Sequence, residues 1–238
     1  MKKTIIAFII TTLTACPAFA HYLWIETSAS GELGNRQEVK VYFGEYTYGV
    51  LEKVDGEGFP KVANFDLWLV APDGKKENLK VKPKKDHYVA YFTPSQEGTF
   101  TIILNNNEIE VIDYTQYDFG IFKTHYHSTA KVLIGNNKTN TTAQNEKGLA
   151  VMQLPSETDQ AKLQIWYQGK PLPKQEVKIF QADLWEKSLT TDENGMISFN
   201  LPWDTKYIVE TTLKEEVPGN YNGKDYEFTW HCATFCIK

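Results

Sequence analysis

The sequence predicts an all-β protein arranged as two β-sandwiches in tandem. Helical periodicity is nearly absent along its 238 residues. Short runs recur instead, either alternating apolar and polar or rich in β-branched and aromatic residues. Clusters of Gly, Pro, Asn and Asp separate these runs, as turns between short strands require.

The elements follow in order. Residues 1–20 stand apart: Lys2 and Lys3 are basic, residues 5–13 form a short apolar run, and Ala18-Phe19-Ala20 meets the small-x-small rule of a cleaved export signal. The run is too short to span a bilayer, which takes about 20 apolar residues, and no later stretch is longer. A competing motif, "LTAC", would make Cys16 a lipidated start, but Pro17 is unusual after such a cysteine. Cleavage after Ala20 is favoured, which places a periplasmic chain starting at His21, with no transmembrane segment.

The first sandwich is expected over 21–113, from "HYLWIE", "EVKVYFGE", "FDLWLVAPDG", "HYVAYFTPSQEGTFTIIL" and "EIEVIDY". An aromatic, irregular segment, "YTQYDFGIFKTHYHST" at 114–129, is expected to join the halves. The second sandwich is expected over 130–238, from "AKVLIGNN", "AKLQIWYQGKPLPKQEVKIFQAD", "GMISFNLP" and "KYIVETTL", with an Asn-rich loop after the first of these. "APDGK" and "DENG" are turns, because Asp opens them and Gly supplies the positive φ. The six tryptophans fall mostly in strand-like runs and are expected to pack.

The net charge of -5 leaves no basic field for nucleic acid. Cys232 and Cys236 are four apart, or about 13 Å along a straight strand. A disulfide needs Cα atoms within about 7 Å, so free thiols are expected. The chain carries no nucleophile elbow, H-E-x-x-H, phosphate loop or dinucleotide fingerprint, so it offers no catalytic residues.

Its histidines are more informative, because imidazole is the commonest metal ligand near neutral pH. Once cleaved, His21 would offer its α-amine and one ring nitrogen to a single ion. "THYHST" puts His125 and His127 on one side of a strand, since side chains repeat every two residues. With His21 they would form an all-nitrogen set suited to Ni(II), Co(II) or Cu(II). His231 joins the candidate set, although it shares a face with Ala233, Phe235 and Ile237 and equally suits a buried, hydrogen-bonded core residue. His87, beside charged residues, is expected at the surface.

Two resemblances add to this reading. The "TDENGMISF" hairpin and its neighbours resemble carboxypeptidase-regulatory and bacterial Ig-like modules, which implies Ig-like sandwiches. The start "AHYLWIE", the central "YHSTAKVLIG" and the terminal "WHCATFCI" together resemble the DUF4198 family of exported two-sandwich proteins. Some members accompany nickel or cobalt transporters as periplasmic components. The resemblance therefore implies a metal-binding protein accessory to nickel, cobalt or copper uptake, with the ion and membrane transporter components as partners. Cys232 and Cys236 depart from the family's terminal pattern. The alternatives are a non-catalytic binding module for a protein or glycan, and an oxidative copper enzyme built on an N-terminal histidine.

Overall fold

The computed structural model describes residues 21–136, 145–146, 148–156, 160–182 and 184–237. The proposed export signal, the Cys16 lipobox and most of the Asn-rich loop lie outside them. The fold is all-β, as expected. The main strands are β1 (Tyr22–Thr27), β2 (Gln37–Glu45), β3 (Asp66–Val70), β4 (His87–Phe92), β5 (Gly98–Asn106), β6 (Ile121–Ile134), β7 (Leu149–Leu154), β8 (Gln160–Tyr167), β9 (Glu176–Gln181), β10 (Trp185–Thr190), β11 (Met196–Asn200), β12 (Tyr207–Glu215) and β13 (Phe228–Ile237).

One ten-stranded sheet runs through the molecule, with the main strands in the order β10-β9-β12-β13-β6-β5-β3. Two smaller sheets cover opposite faces of it. The sheet containing β1, β2 and β4 covers one face, and the sheet containing β7, β8 and β11 covers the other. The alternation of side chains on β6 and β13 makes this arrangement feasible. Ala130, Val132 and Ile134 enter the core shared with Leu23, Ile25, Val39 and Val41. Ala233, Phe235 and Ile237 enter the other core, with Val151, Leu163 and Ile179.

The segment expected to be irregular is mostly strand. A short 3-10 turn at Thr115–Tyr117 precedes β6, which is 14 residues long and continues past residue 129. Its aromatic and β-branched side chains, which obscured the alternation in the sequence, are divided between the two faces. The boundary drawn at 129/130 therefore falls inside one continuous strand.

The two turns form as expected. Gly74 and Gly195 have φ of 84° and 71°, and Asp192 Oδ1 accepts from the backbone N–H of Asn194 and Met196. Neither Cys232 nor Cys236 is in a disulfide. Burial pushes the Cys232 thiol well up, and the Glu210 carboxyl beside it adds to the shift. Of the tryptophans only Trp24 is fully buried, and Trp203 is 47% exposed. Trp203 lies in a bend between β11 and β12, outside any strand.

Trp24 secures β1 against the central sheet. It stacks on Tyr42 with ring centroids 5.4 Å apart and donates its indole N–H to Glu26 at 2.9 Å. Glu26 in turn pairs with Lys206 at 2.6 Å. Thr234 donates to the Leu23 carbonyl at 2.7 Å, and Ser128 accepts from the Ile25 N–H at 3.2 Å. Trp24→Ala removes a fully buried ring and should cost about 3–5 kcal/mol of stability, read as a lowered urea midpoint.

Candidate metal centre

β6 and β13 are parallel neighbours, with His125 paired to His231 and His127 to Ala233. Paired residues in a sheet project to the same side, so His125, His127 and His231 converge on one face. Their ligating nitrogens all lie within 4.8 Å of one another. His127 and His231 are buried, and His125 is half-buried.

The outer nitrogen of two of these rings is fixed by a partner. His127 Nδ1–H donates to Asn105 Oδ1 at 2.7 Å. Asn105 is held by a reciprocal amide pair with Asn145, at 2.7 and 3.1 Å. His231 Nε2–H donates to Glu215 Oε2 at 3.2 Å. Burial pushes the Glu215 carboxyl up, but hydrogen bonds from Tyr167 and His231 outweigh that and hold it below its ordinary range.

These partners set the tautomers. With Nδ1–H of His127 and Nε2–H of His231 committed outward, His127 Nε2 and His231 Nδ1 each present a lone pair. The two atoms face each other at 3.0 Å. His125 Nε2 is buried and has no hydrogen-bond partner among the described residues. Three ring nitrogens thus turn inward, and two opposed lone pairs need a proton or a cation between them.

The protein makes a proton costly there. Burial pushes the His125 pKa down to about 4, and His231 and Lys123 push it further the same way. Burial likewise holds His127 well below its ordinary value, and the other two imidazoles reinforce this. His231 is lowered by burial, against the pull of Glu215. Neutral imidazoles are the form that binds metal.

The spacing suits an ion. Two nitrogens bound at about 2.0–2.1 Å stand roughly 2.9 Å apart at a right angle and roughly 4.1 Å apart when trans. The 3.0 Å pair already fits the first case. With the widest pair of the set, within 4.8 Å, placed trans, a bound ion would draw it in by under about 1 Å. Outward N–H groups held by a carboxylate and an amide are the usual outer shell of metal-bound histidine.

His21 does not join this cluster. The Tyr126 hydroxyl, which projects from the face of β6 opposite His125 and His127, donates to the His21 carbonyl at 2.9 Å. His21 therefore lies across the sheet, its Nε2 paired with Glu52 at 3.0 Å. The single site expected from His21, His125 and His127 does not assemble. Instead His231 completes the set, and its burial, which favoured a core role in the sequence, is that of the cluster itself. His87 is half-buried rather than exposed, paired with Asp86 at 2.7 Å. Asn105, Asn145, Tyr167 and Glu215 carried no signal in the sequence, because amides, tyrosines and carboxylates are spread throughout it.

The fold and cluster together define a β-sandwich protein with a buried three-histidine centre on its central sheet. The chain belongs to the DUF4198 family, described as a domain of unknown function, which matches residues 18–215. No curated protein matches it. Among solved structures it is similar to Salmonella alpha-2-macroglobulin at 11% identity and TM-score 0.32, over 93% of this chain and 15% of that one. It is also similar to Escherichia coli alpha-2-macroglobulin activated by porcine elastase, at 11% identity and TM-score 0.30, over 92% and 20% of the two chains. The chain thus spans a fifth or less of either protein.

Two outcomes are expected from this geometry. A Cβ on Gly148 would lie 2.2 Å from His127 Cε1, so Gly148→Ala should displace the ring and weaken any metal held there. Isothermal titration of both proteins with Ni(II) checks this. Because His125 and His127 stay neutral well below pH 6.5, affinity for a metal should change little from pH 8 to 6 and fall as the pH approaches the His125 value of about 4. Metal affinity followed across pH 4–8 checks this. A steep loss already between pH 8 and 6.5 would contradict it.

Proposed function

We propose that this protein binds one late first-row divalent ion, Ni(II), Co(II) or Cu(II), through His125, His127 and His231. It would act outside the cytoplasm as an accessory to metal uptake. The observation that carries the reading is the convergence of three imidazoles, two of which, His127 and His231, have their outward N–H groups held by Asn105 and Glu215. All-imidazole donors suit these ions and not Ca(II) or Mg(II), which take oxygen ligands. The role in uptake, and a membrane transporter as recipient, rest on the family resemblance alone.

Three protein nitrogens leave coordination positions open on any of these ions. An ion held this way can be passed to another ligand without first losing its whole shell, which suits a carrier. The tyrosine–carboxylate pair Tyr167 and Glu215 holds His231 from outside and need not touch the ion.

Calorimetry with Ni(II), Co(II), Cu(II) and Ca(II) tests the proposal. Binding by the transition ions and none by Ca(II) is expected. His127→Ala and His231→Ala should each abolish binding at this centre, and Glu215→Gln should weaken it about 10–100-fold. Affinities untouched by both histidine substitutions, in variants that keep the wild-type circular dichroism spectrum, would overturn it.

A further inference from the structure

His21 is left outside the triad, yet its surroundings are those of a ligand. Its Nε2–H donates to Glu52 Oε1 at 3.0 Å, so the lone pair of the neutral ring sits on Nδ1. That Nδ1 is buried and has no hydrogen-bond partner among the described residues. A buried acceptor left unsatisfied costs free energy and asks for an explanation.

The residue is also held in place. Tyr126 donates to its carbonyl at 2.9 Å, and its ring packs against Phe43 with centroids 5.5 Å apart. The next residue, Tyr22, is paired with Gly44 in the sheet. His21 is therefore an ordered strand end, not a frayed one.

Nδ1 is the ring nitrogen that can close a six-membered chelate with the residue's own backbone nitrogen. Nε2, on the far side of the ring, cannot reach it. A backbone amide is a poor ligand, but a free α-amine is a good one. The small-x-small motif Ala18-Phe19-Ala20 ends immediately before His21, so cleavage there turns this backbone nitrogen into an amine.

We infer that the processed protein carries a second metal site, independent of the triad, in which the α-amine and Nδ1 of His21 chelate one Cu(II) or Ni(II) ion. Glu52 acts from outside by fixing the tautomer, as carboxylates do for metal-bound histidine. Two nitrogens in one chelate ring favour the tetragonal preference of these two ions over ions without one. The site lies on the face of β6 opposite the triad, the face from which Tyr126 reaches the His21 carbonyl. Each can therefore be removed without the other.

The test counts bound ions on the protein exported and processed by the cell. Intact mass establishes its first residue. Cu(II) is then titrated and followed by calorimetry and by the visible absorption of the bound ion. Two equivalents are expected for a chain beginning at His21. One is expected for the same chain with His21→Ala, and one for His127→Ala. The double change should leave none.

Both variants are compared at an unchanged circular dichroism spectrum, so a lost equivalent does not reflect a damaged fold. A His21→Ala chain that binds as many ions as the unsubstituted chain would overturn this site. So would an intact mass showing that the exported chain begins elsewhere. A stoichiometry unaffected by His127→Ala would instead count against the triad alone, so the two readings fail separately.

Discussion

The structure depends on the parallel pairing of β6 with β13. This register aligns His125 with His231 across eight consecutive residue pairs, from Phe122 with Phe228 to Thr129 with Phe235. It places the ends of two strands about 100 residues apart in sequence side by side, and both cores are built on their opposite faces. One face receives β1, through Ser128 and Thr234. The other receives β7, through a hydrogen bond from Thr129 to the Val151 carbonyl at 2.5 Å. A shift of one residue in this register would turn the histidines of one strand away from those of the other, because side chains alternate with every residue.

The site depends on this pairing in a second way. The three imidazoles sit between a sheet and the hairpin that covers it, where water is excluded. That exclusion keeps them unprotonated and makes unpaired nitrogens costly. The same exclusion would strengthen their hold on a cation. Asn105 and Glu215 satisfy the outward nitrogens of His127 and His231, which leaves their inward nitrogens facing one another.

Much of this was legible in the sequence, and the gaps have physical causes. Strand periodicity placed His125 and His127 on one side, and it put His231 with Ala233, Phe235 and Ile237. Asp–Gly chemistry located the turns at Gly74 and Gly195. What periodicity cannot supply is register between distant strands, so it could not say that His231, and not His21, lies beside His125 and His127. The length of β6 was missed for a related reason. A strand covered on both sides does not alternate between polar and apolar in the way that a half-exposed one does. The aromatic run 114–129 therefore read as irregular. Asn105 and Glu215 were invisible because their importance lies in which nitrogen they face.

The ligands of the triad have very unequal positions along the chain. His127 Nε2 and His231 Nδ1 face each other across a separation of 104 residues, and the second of them lies on the last strand of the described fold. A chain not yet finished at its last strand therefore has two of the three histidines, on a strand without its β13 neighbour. On the proposed reading, tight capture of a metal waits until that strand docks, so an ion held at the triad would report a completed fold.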